Sequence, residues 1–193
     1  TETVFRGTGR DRFVDNAEGG SAGSDTVYGG TGADTILGGG GDDVFRGEIG
    51  NDSLTGGAGA DRLEGAGGAD TLVGGTQNDV LRGGRGQDAM FGGGGADTLR
   101  GGTGRDQLTG GSGRDVFVFT RMDGKDRILD FNVDVDVLRL DNALWGGTLT
   151  ATQVVSRFGQ VRNGDVVLDF GAEEILLVDI SSLAGLAQDI DLF

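Results

Sequence analysis

The chain has no cysteine, no proline and no histidine among its 193 residues, and Lys125 is its single lysine. Without cysteine there are neither disulfides nor thiolate metal sites. Without histidine there is no imidazole general base, no Ser-His or Cys-His pair and no ordinary zinc centre. Hydrophobic runs are short: "EILLVDI" around Ile175 is far too brief to cross a bilayer, and the first residues lack a charged-then-apolar signal pattern. Bases are few, 16 against 31 acids, for a formal charge of −15. A surface of that sign repels nucleic acid and anionic lipid and attracts cations. The expectation is a soluble piece of a larger protein, with no nucleic-acid partner and no membrane insertion.

What the chain does have is glycine, 42 residues of it, too much for an ordinary globular core with 36% hydrophobic residues. The glycines are periodic. "GGTGADTILGGGGDDVFR", from Gly29 to Arg46, says one nine-residue phrase twice. Aspartate recurs at Asp25, Asp34, Asp43, Asp52, Asp61, Asp70, Asp79, Asp88, Asp97, Asp106 and Asp115, an unbroken spacing of nine. Two residues after each stands Val27, Ile36, Phe45, Leu54, Leu63, Leu72, Leu81, Met90, Leu99, Leu108 or Phe117. An earlier copy, "GTGRDRFV", sets Asp11 and Phe13 in the same relation. A five-residue excess around Asp15 to Gly19 separates it from the array, read as a longer loop.

Each copy divides in two. The first six positions are glycine-rich, as tight turns that need positive φ and close backbone approach demand. The last three place one apolar residue between variable ones, as a very short strand with one inward side chain does. Two copies then make one coil of a flattened solenoid, and copies eighteen residues apart stack with strands about 4.8 Å apart. Asp25, Asp43, Asp61, Asp79, Asp97 and Asp115 fall in one column and Asp34, Asp52, Asp70, Asp88 and Asp106 in the other. Carboxylates about 4.8 Å apart repel by roughly 1 kcal/mol even in water, so a cation is expected between them. Calcium suits an all-oxygen site of carboxylates and loop carbonyls; magnesium wants stiffer octahedral geometry, and zinc lacks its nitrogen and sulfur donors.

The array resembles the repeats-in-toxin (RTX) family of calcium-binding nonapeptides, G-G-x-G-x-D-x-U-x, over Arg6 to Val118. The resemblance implies an all-β, right-handed parallel β-roll with each ion between the turns of copies n and n+2. Its ligands would be the aspartates and carbonyls of the glycine loops. The carbonyl candidates are Gly29, Gly30, Gly32, Gly38, Gly39, Gly41, Gly56, Gly57, Gly59, Gly83, Gly84 and Gly86. Gly92, Gly93, Gly95, Gly101, Gly102, Gly104, Gly110, Gly111 and Gly113 complete that set. Columns of six and five turns offer roughly nine interior Ca²⁺ sites, with end sites at Asp11 and after the array. Some copies depart from the pattern: Glu48 and Ile49, Ala66, Ser21 and Gln77 replace consensus residues. Gln77, at the fourth position, is expected to distort the gaps flanking Asp79.

So glycine-rich an array is expectedly disordered without cations, and binding energy becomes folding energy. Extracellular calcium modules bind at about 10⁻⁴–10⁻³ M, which points to a chain unfolded inside the cell and folded outside.

Beyond Val118 the composition changes. "FTRMDGKDRILDF" keeps an irregular last copy, in which Asp123, Asp126 and Asp130 are candidates for one more site below Asp106. "DVDVLRL" from Asp134 to Leu140 alternates as a strand, "TATQVVSRFG" suits a short helix between Thr150 or Thr152 and Gly159, and "QVRNGDVVLDF" suits a hairpin turning at Asn163-Gly164. "EEILLVDI" adds a strand, Ser182 to Gln188 a helical turn. The division expected is a roll over 1–118, its regular repeats at 20–118, and over 119–193 a β-rich cap with one or two short helices. This second part is similar to the secretion-signal regions of proteins exported by type I (ABC-transporter) systems. That resemblance implies a secreted, extracellular bacterial protein, with the export apparatus and an upstream passenger domain as partners.

An enzymatic reading finds only "GGSAG" at Gly19 to Gly23, a formal G-x-S-x-G match around Ser21 without histidine or a strand-turn-helix context. No catalytic residue is assigned. An adhesive or ice-binding solenoid needs a row of one residue type. The third positions run Ala22, Gly40, Ala58, Thr76, Gly94, Ser112 and Thr31, Ile49, Gly67, Arg85, Thr103, which is no flat threonine row. The alternatives kept are that structural or adhesive solenoid and the non-catalytic C-terminal part of a secreted hydrolase.

Overall fold

The computed structural model describes residues 3–5, 7–14 and 23–193. The loop excess at Asp15 to Gly19 and Ser21 lie outside the described residues. The repeats form strands β1 (Thr3–Phe5), β2 (Arg12–Val14), β3 (Thr26–Thr31), β4 (Thr35–Gly40), β5 (Val44–Ile49), β6 (Ser53–Ala58) and β7 (Arg62–Gly67). They continue through β8 (Thr71–Thr76), β9 (Val80–Gly86), β10 (Ala89–Gly94), β11 (Thr98–Gly104), β12 (Gln107–Ser112), β13 (Val116–Phe119) and β14 (Lys125–Ile128). Up to this point odd-numbered strands form one parallel sheet and even-numbered strands the other, so the chain crosses between sheets at every turn. The result is a parallel β-solenoid of about 6 turns.

Register follows the repeat. Phe45 pairs with Leu63, Leu63 with Leu81 and Leu81 with Leu99 in one sheet. Ile36, Leu54, Leu72, Met90 and Leu108 align in the other. The apolar residue of each copy thus stands over its counterpart eighteen residues away, and the two rows meet between the sheets as a narrow continuous core. From Val27 to Phe117 none of these side chains is more than 1% exposed, so each is in effect fully withdrawn from water.

Strands are longer than the three residues expected. From β3 to β12 each runs on through at least the first three positions of the following copy, where Gly39 aligns with Gly57 and Gly57 with Gly75. The turn proper is thus confined to positions four to six, because stacked glycine backbones satisfy their hydrogen bonds between rungs. The strand β1, pairing Thr3–Phe5 with Thr26–Tyr28, precedes the first copy recognised from sequence. Its signal was Val4, nine residues before Phe13. The first even-sheet register, Phe13 on Ile36, spans 23 residues, so five extra residues are absorbed with the stacking intact.

After β14 come β15 (Val137–Leu140), helix α1 (Ala151–Phe158), β16 (Gly159–Arg162), β17 (Asp165–Asp169), β18 (Glu174–Leu177) and β19 (Ile190–Leu192). Both sheets run on: β15 and β19 extend the first, while β18 follows β14 and leads into the antiparallel β17 and β16. Helix α1 starts where Thr150 caps it: the Gln153 amide donates to the Thr150 hydroxyl, and the Thr150 amide donates to the Gln153 side chain. Asn163 and Gly164 turn the hairpin with φ of 56° and 93°, the combination a type I′ turn requires. The strand expected from Asp134 starts only at Val137. Asp134 takes φ 74°, and the amides of Val135 and Asp136 both donate to the Asn132 carbonyl, making a turn there. The helical turn near Gln188 is a 3-10 turn over Leu186–Asp189.

With one inward side chain per copy, every core residue carries a large share of its rung. Leu72→Ala is expected to lose about 2–5 kcal/mol in denaturant unfolding monitored at constant calcium. Ile49→Ala, at a site 67% exposed, should stay within about 0.5 kcal/mol.

Candidate metal centre

The sixth residue of each copy ends the turn with its side chain directed inward, and its carboxylate does two things. Oδ1 accepts a hydrogen bond from the backbone N–H of the aspartate one rung earlier: Asp25 to Asp43, Asp43 to Asp61, Asp61 to Asp79, each 2.8 Å. Asp79 to Asp97 and Asp97 to Asp115 continue that column at 2.8 and 2.9 Å. On the opposite side the same bonds join Asp11 to Asp34, Asp34 to Asp52, Asp52 to Asp70, Asp70 to Asp88 and Asp88 to Asp106. Oδ2 is different. In Asp34, Asp52, Asp61, Asp70, Asp79, Asp88, Asp97, Asp106 and Asp115 it is buried and has no hydrogen-bond partner. A buried charged oxygen without a partner is costly, so each of these marks a place where a ligand belongs.

Glycine at the first position makes room for that oxygen. A Cβ on Gly29 would lie 2.6 Å from Asp34 Oδ2 and 2.7 Å from the carbonyl oxygen of Gly47, one rung on. The Gly38, Gly56, Gly83, Gly92, Gly101 and Gly110 positions meet the oxygens of Asp43, Asp61, Asp88, Asp97, Asp106 and Asp115 more tightly still. The cradle brings together a carboxylate oxygen and a carbonyl oxygen from adjacent rungs. At the fourth position glycine is needed twice over: Gly68 has φ 143°, and its missing Cβ would overlap the Gly50 carbonyl. The second-position glycines Gly30, Gly39, Gly57, Gly84, Gly93, Gly102 and Gly111 and the fourth-position Gly32, Gly41, Gly59, Gly86, Gly95, Gly104 and Gly113 all share positive φ.

The substituted copies hold this conformation. Glu48, Ala66 and Gln77 adopt φ of 76°, 75° and 77°. Around Gln77 the aspartate bonds are undisturbed, but the bond from Gly59 N–H to the Thr76 carbonyl stretches to 3.4 Å, where its counterparts at Gly41, Gly50 and Gly68 measure 2.7–2.9 Å.

At the far end the columns continue on residues of mixed legibility. Asp126 takes the next place after Asp106, whose N–H donates to it at 2.9 Å, and Gly124 bridges Gly104. Asp123 is turned to other work: it accepts from the Thr120 amide and hydroxyl and pairs with Arg100 at 3.1 Å. Asp130 accepts from the amides of Gly110 and Gly111, capping the turn above it. The residue that extends the Asp115 column is Asp136, reached at 3.0 Å, which the sequence reading missed. Its signal was the pair Asp136 and Leu138, the acid-then-apolar spacing of the repeat without its glycines. A further inter-rung bond also escaped notice: Asp42, Asn51 and Asn78 at position five accept from the amides of Ala60, Ala69 and Ala96.

Burial drives the carboxyls upward from their ordinary value near 3.8: Asp70, Asp79 and Asp106 to about 7, Asp115 to about 6 and Asp126 to about 8. The amide of the preceding rung opposes the shift, and neighbouring carboxylates add to it. Asp52, Asp61, Asp88, Asp97 and Asp136 move in the same direction. The donor set, carboxylate and carbonyl oxygens without nitrogen or sulfur, fits a hard divalent cation such as calcium.

A family model for the RTX calcium-binding nonapeptide repeat (4 copies) matches residues 19–54, 38–72, 55–90, 64–99 and 91–119, together more than half of the chain. The chain belongs to this RTX family. Its repeats are calcium-binding repeats. Among solved structures the chain is similar to the extracellular lipase LipA from Serratia marcescens, with 22% identity and a TM-score of 0.43 over 90% of this chain and 39% of the lipase chain. It therefore spans well under half of that lipase's length. No curated protein matches the sequence.

Two outcomes are expected where protons and a divalent cation compete for these oxygens. The raised carboxyls hold more protons in the folded metal-free roll than in the unfolded chain, so their contribution to stability is full below about pH 4 and disappears as pH rises through about 6–8. Chelated protein should accordingly show more strand by circular dichroism at pH 5 than at pH 8. Equal spectra would count against it. Asp70→Asn keeps an acceptor for the Asp52 amide but loses the charge. It is expected to raise the calcium midpoint of folding several-fold at pH 8, measured by the same spectra.

Proposed function

We propose that the chain is a calcium-folded module serving the export and folding of a larger secreted protein. The observation that carries this reading is the row of buried, partnerless Asp Oδ2 atoms repeating rung after rung inside an RTX array. The side chains of Asp25, Asp34, Asp43, Asp52, Asp61, Asp70, Asp79, Asp88, Asp97, Asp106 and Asp115 would hold roughly nine ions together with loop carbonyls, Asp126 and Asp136 serving the far end. Calcium bound there neutralises stacked acids that otherwise repel. At cytosolic calcium the chain stays open and can be threaded for export; at the millimolar calcium outside it folds.

In this reading residues 1–118 are the roll, and 119–193 both cap its open end and carry the type I secretion signal. Capping is supported by β15 and β19 on one sheet and the three strands β16–β18 on the other. The module has no catalytic part of its own, and activity resides in an upstream passenger. No helix among the described residues is long and apolar enough to cross a membrane.

Titrating calcium from chelated protein into the millimolar range should convert a disordered far-ultraviolet spectrum into a strand-rich one, with a midpoint near 10⁻⁴–10⁻³ M. Identical strand content with chelator and with calcium at pH 8 would sink the proposal.

A further inference from the structure

The two broad faces of the roll differ in charge. The seventh and ninth residues of each copy flank the inward apolar residue and so point away from the core. On the even-numbered sheet from β4 to β12 those outward residues are all uncharged, Thr55, Val73 and Phe91 among them. On the odd-numbered sheet from β5 to β11 they include Arg46, Arg62, Arg82 and Arg100 against a single acid, Glu64. Glu64 is already held by Arg46 at 3.3 Å, and Arg100 by Asp123 at 3.1 Å. Arg62 and Arg82 have no acidic partner among the described residues, and both are exposed. Register places Arg62 between Val44 and Val80, and Arg82 between Glu64 and Arg100. These side chains rim a shallow hollow of about 110 Å³ that includes both valines. In a chain of formal charge −15, three arginines, Arg46, Arg62 and Arg82, here gather around one acid, Glu64, and two valines.

We propose that this face docks onto the phosphate groups of an anionic lipid surface through Arg62 and Arg82. Arginine's planar fork grips phosphate oxygens in pairs, and the arginines stand on rungs about 4.8 Å apart in a stiff sheet. At one end of the same face Arg46 stacks over Tyr28 at 5.8 Å, and at the other Arg139 stacks over Phe193 at 5.0 Å. Rings paired with cations and interspersed with valine match a headgroup layer, which is wet on one side and apolar on the other. A flexible polyanion would ask for charge alone.

The proposal rests on the calcium reading above. About nine divalent ions bring about eighteen positive charges to a chain of charge −15, so the loaded roll no longer repels an anionic surface. The metal-free chain does.

The test mixes the chain, in about 5 mM calcium and about 0.1 M salt, with vesicles of phosphatidylcholine alone or with about 30% phosphatidylglycerol, and reads co-sedimentation. Circular dichroism of the same samples reads folding separately. Wild type should bind the phosphatidylglycerol vesicles only, and Arg62→Gln/Arg82→Gln should fold alike yet bind about 25-fold more weakly, about fivefold for each arginine. Should the double variant not fold, either single substitution reads its own fivefold. Wild type that folds but ignores the vesicles overturns this inference alone, as does a folded double variant that binds undiminished, because calcium bridging would then carry the contact. Retention on a sulfated polysaccharide without vesicle binding assigns the face to another partner and overturns it too. A chain that gains no strand content with calcium overturns both readings.

Discussion

Every rung of the roll is fastened to its predecessor by a carboxylate oxygen that accepts from a buried backbone N–H, and the other oxygen of the same carboxylate faces bare glycine Cα atoms. One side chain therefore carries both the mechanical link between rungs and the electrostatic strain of the fold. Within the folded roll this hydrogen bond fixes the carboxylate and turns its second oxygen into the glycine cradle. Stacking these groups in two unbroken columns concentrates negative charge where water does not reach. Such stacked charge calls for a counter-ion, and the repeats of this family are calcium-binding repeats. The hydrophobic row between the sheets contributes one side chain per copy and aligns the rungs, while the columns tie each rung to the next through its backbone N–H.

Much of this architecture is legible from the sequence because the repeat states it many times over. The nine-residue spacing of Asp25 to Asp115 fixes which acids share a column, and the apolar residue two places later fixes which side chains meet between the sheets. The helix at Thr150 and the turn at Asn163-Gly164 were equally plain, since capping and left-handed turn residues act locally. Where the repeat loses its glycines, legibility falls. Asp136 occupies a column position by virtue of its stacking on Asp115, 21 residues earlier, and no fixed spacing announces it. Asp123 drew attention through its closeness to Asp126, yet its carboxylate is taken by Thr120 and Arg100. The strand lengths were underestimated for a related reason: glycine reads as turn, but stacked against its own kind it pairs as strand.

The substituted copies show how a neighbour enforces conformation. Glu48, Ala66 and Gln77 pay the strain of positive φ because the rungs on either side hold the path of the backbone. At Gln77 the compromise surfaces in the lengthened Gly59–Thr76 bond, not in the aspartate column. Tolerance is therefore local: a rung can accept an imperfect loop provided its links to the adjacent rungs survive.

Alternation between two sheets has a consequence for how such a molecule can change length over generations. The gain or loss of a single nonapeptide would rotate everything downstream by half a turn, carrying β15 and the terminal hairpin to the wrong sheets and transposing the arginine face with the uncharged one. Duplications of eighteen residues leave every downstream partner where it was. Growth of this array by slippage is thus constrained to paired units, whereas the five-residue excess between Asp11 and Asp34 leaves parity unaltered, since Phe13 still registers with Ile36.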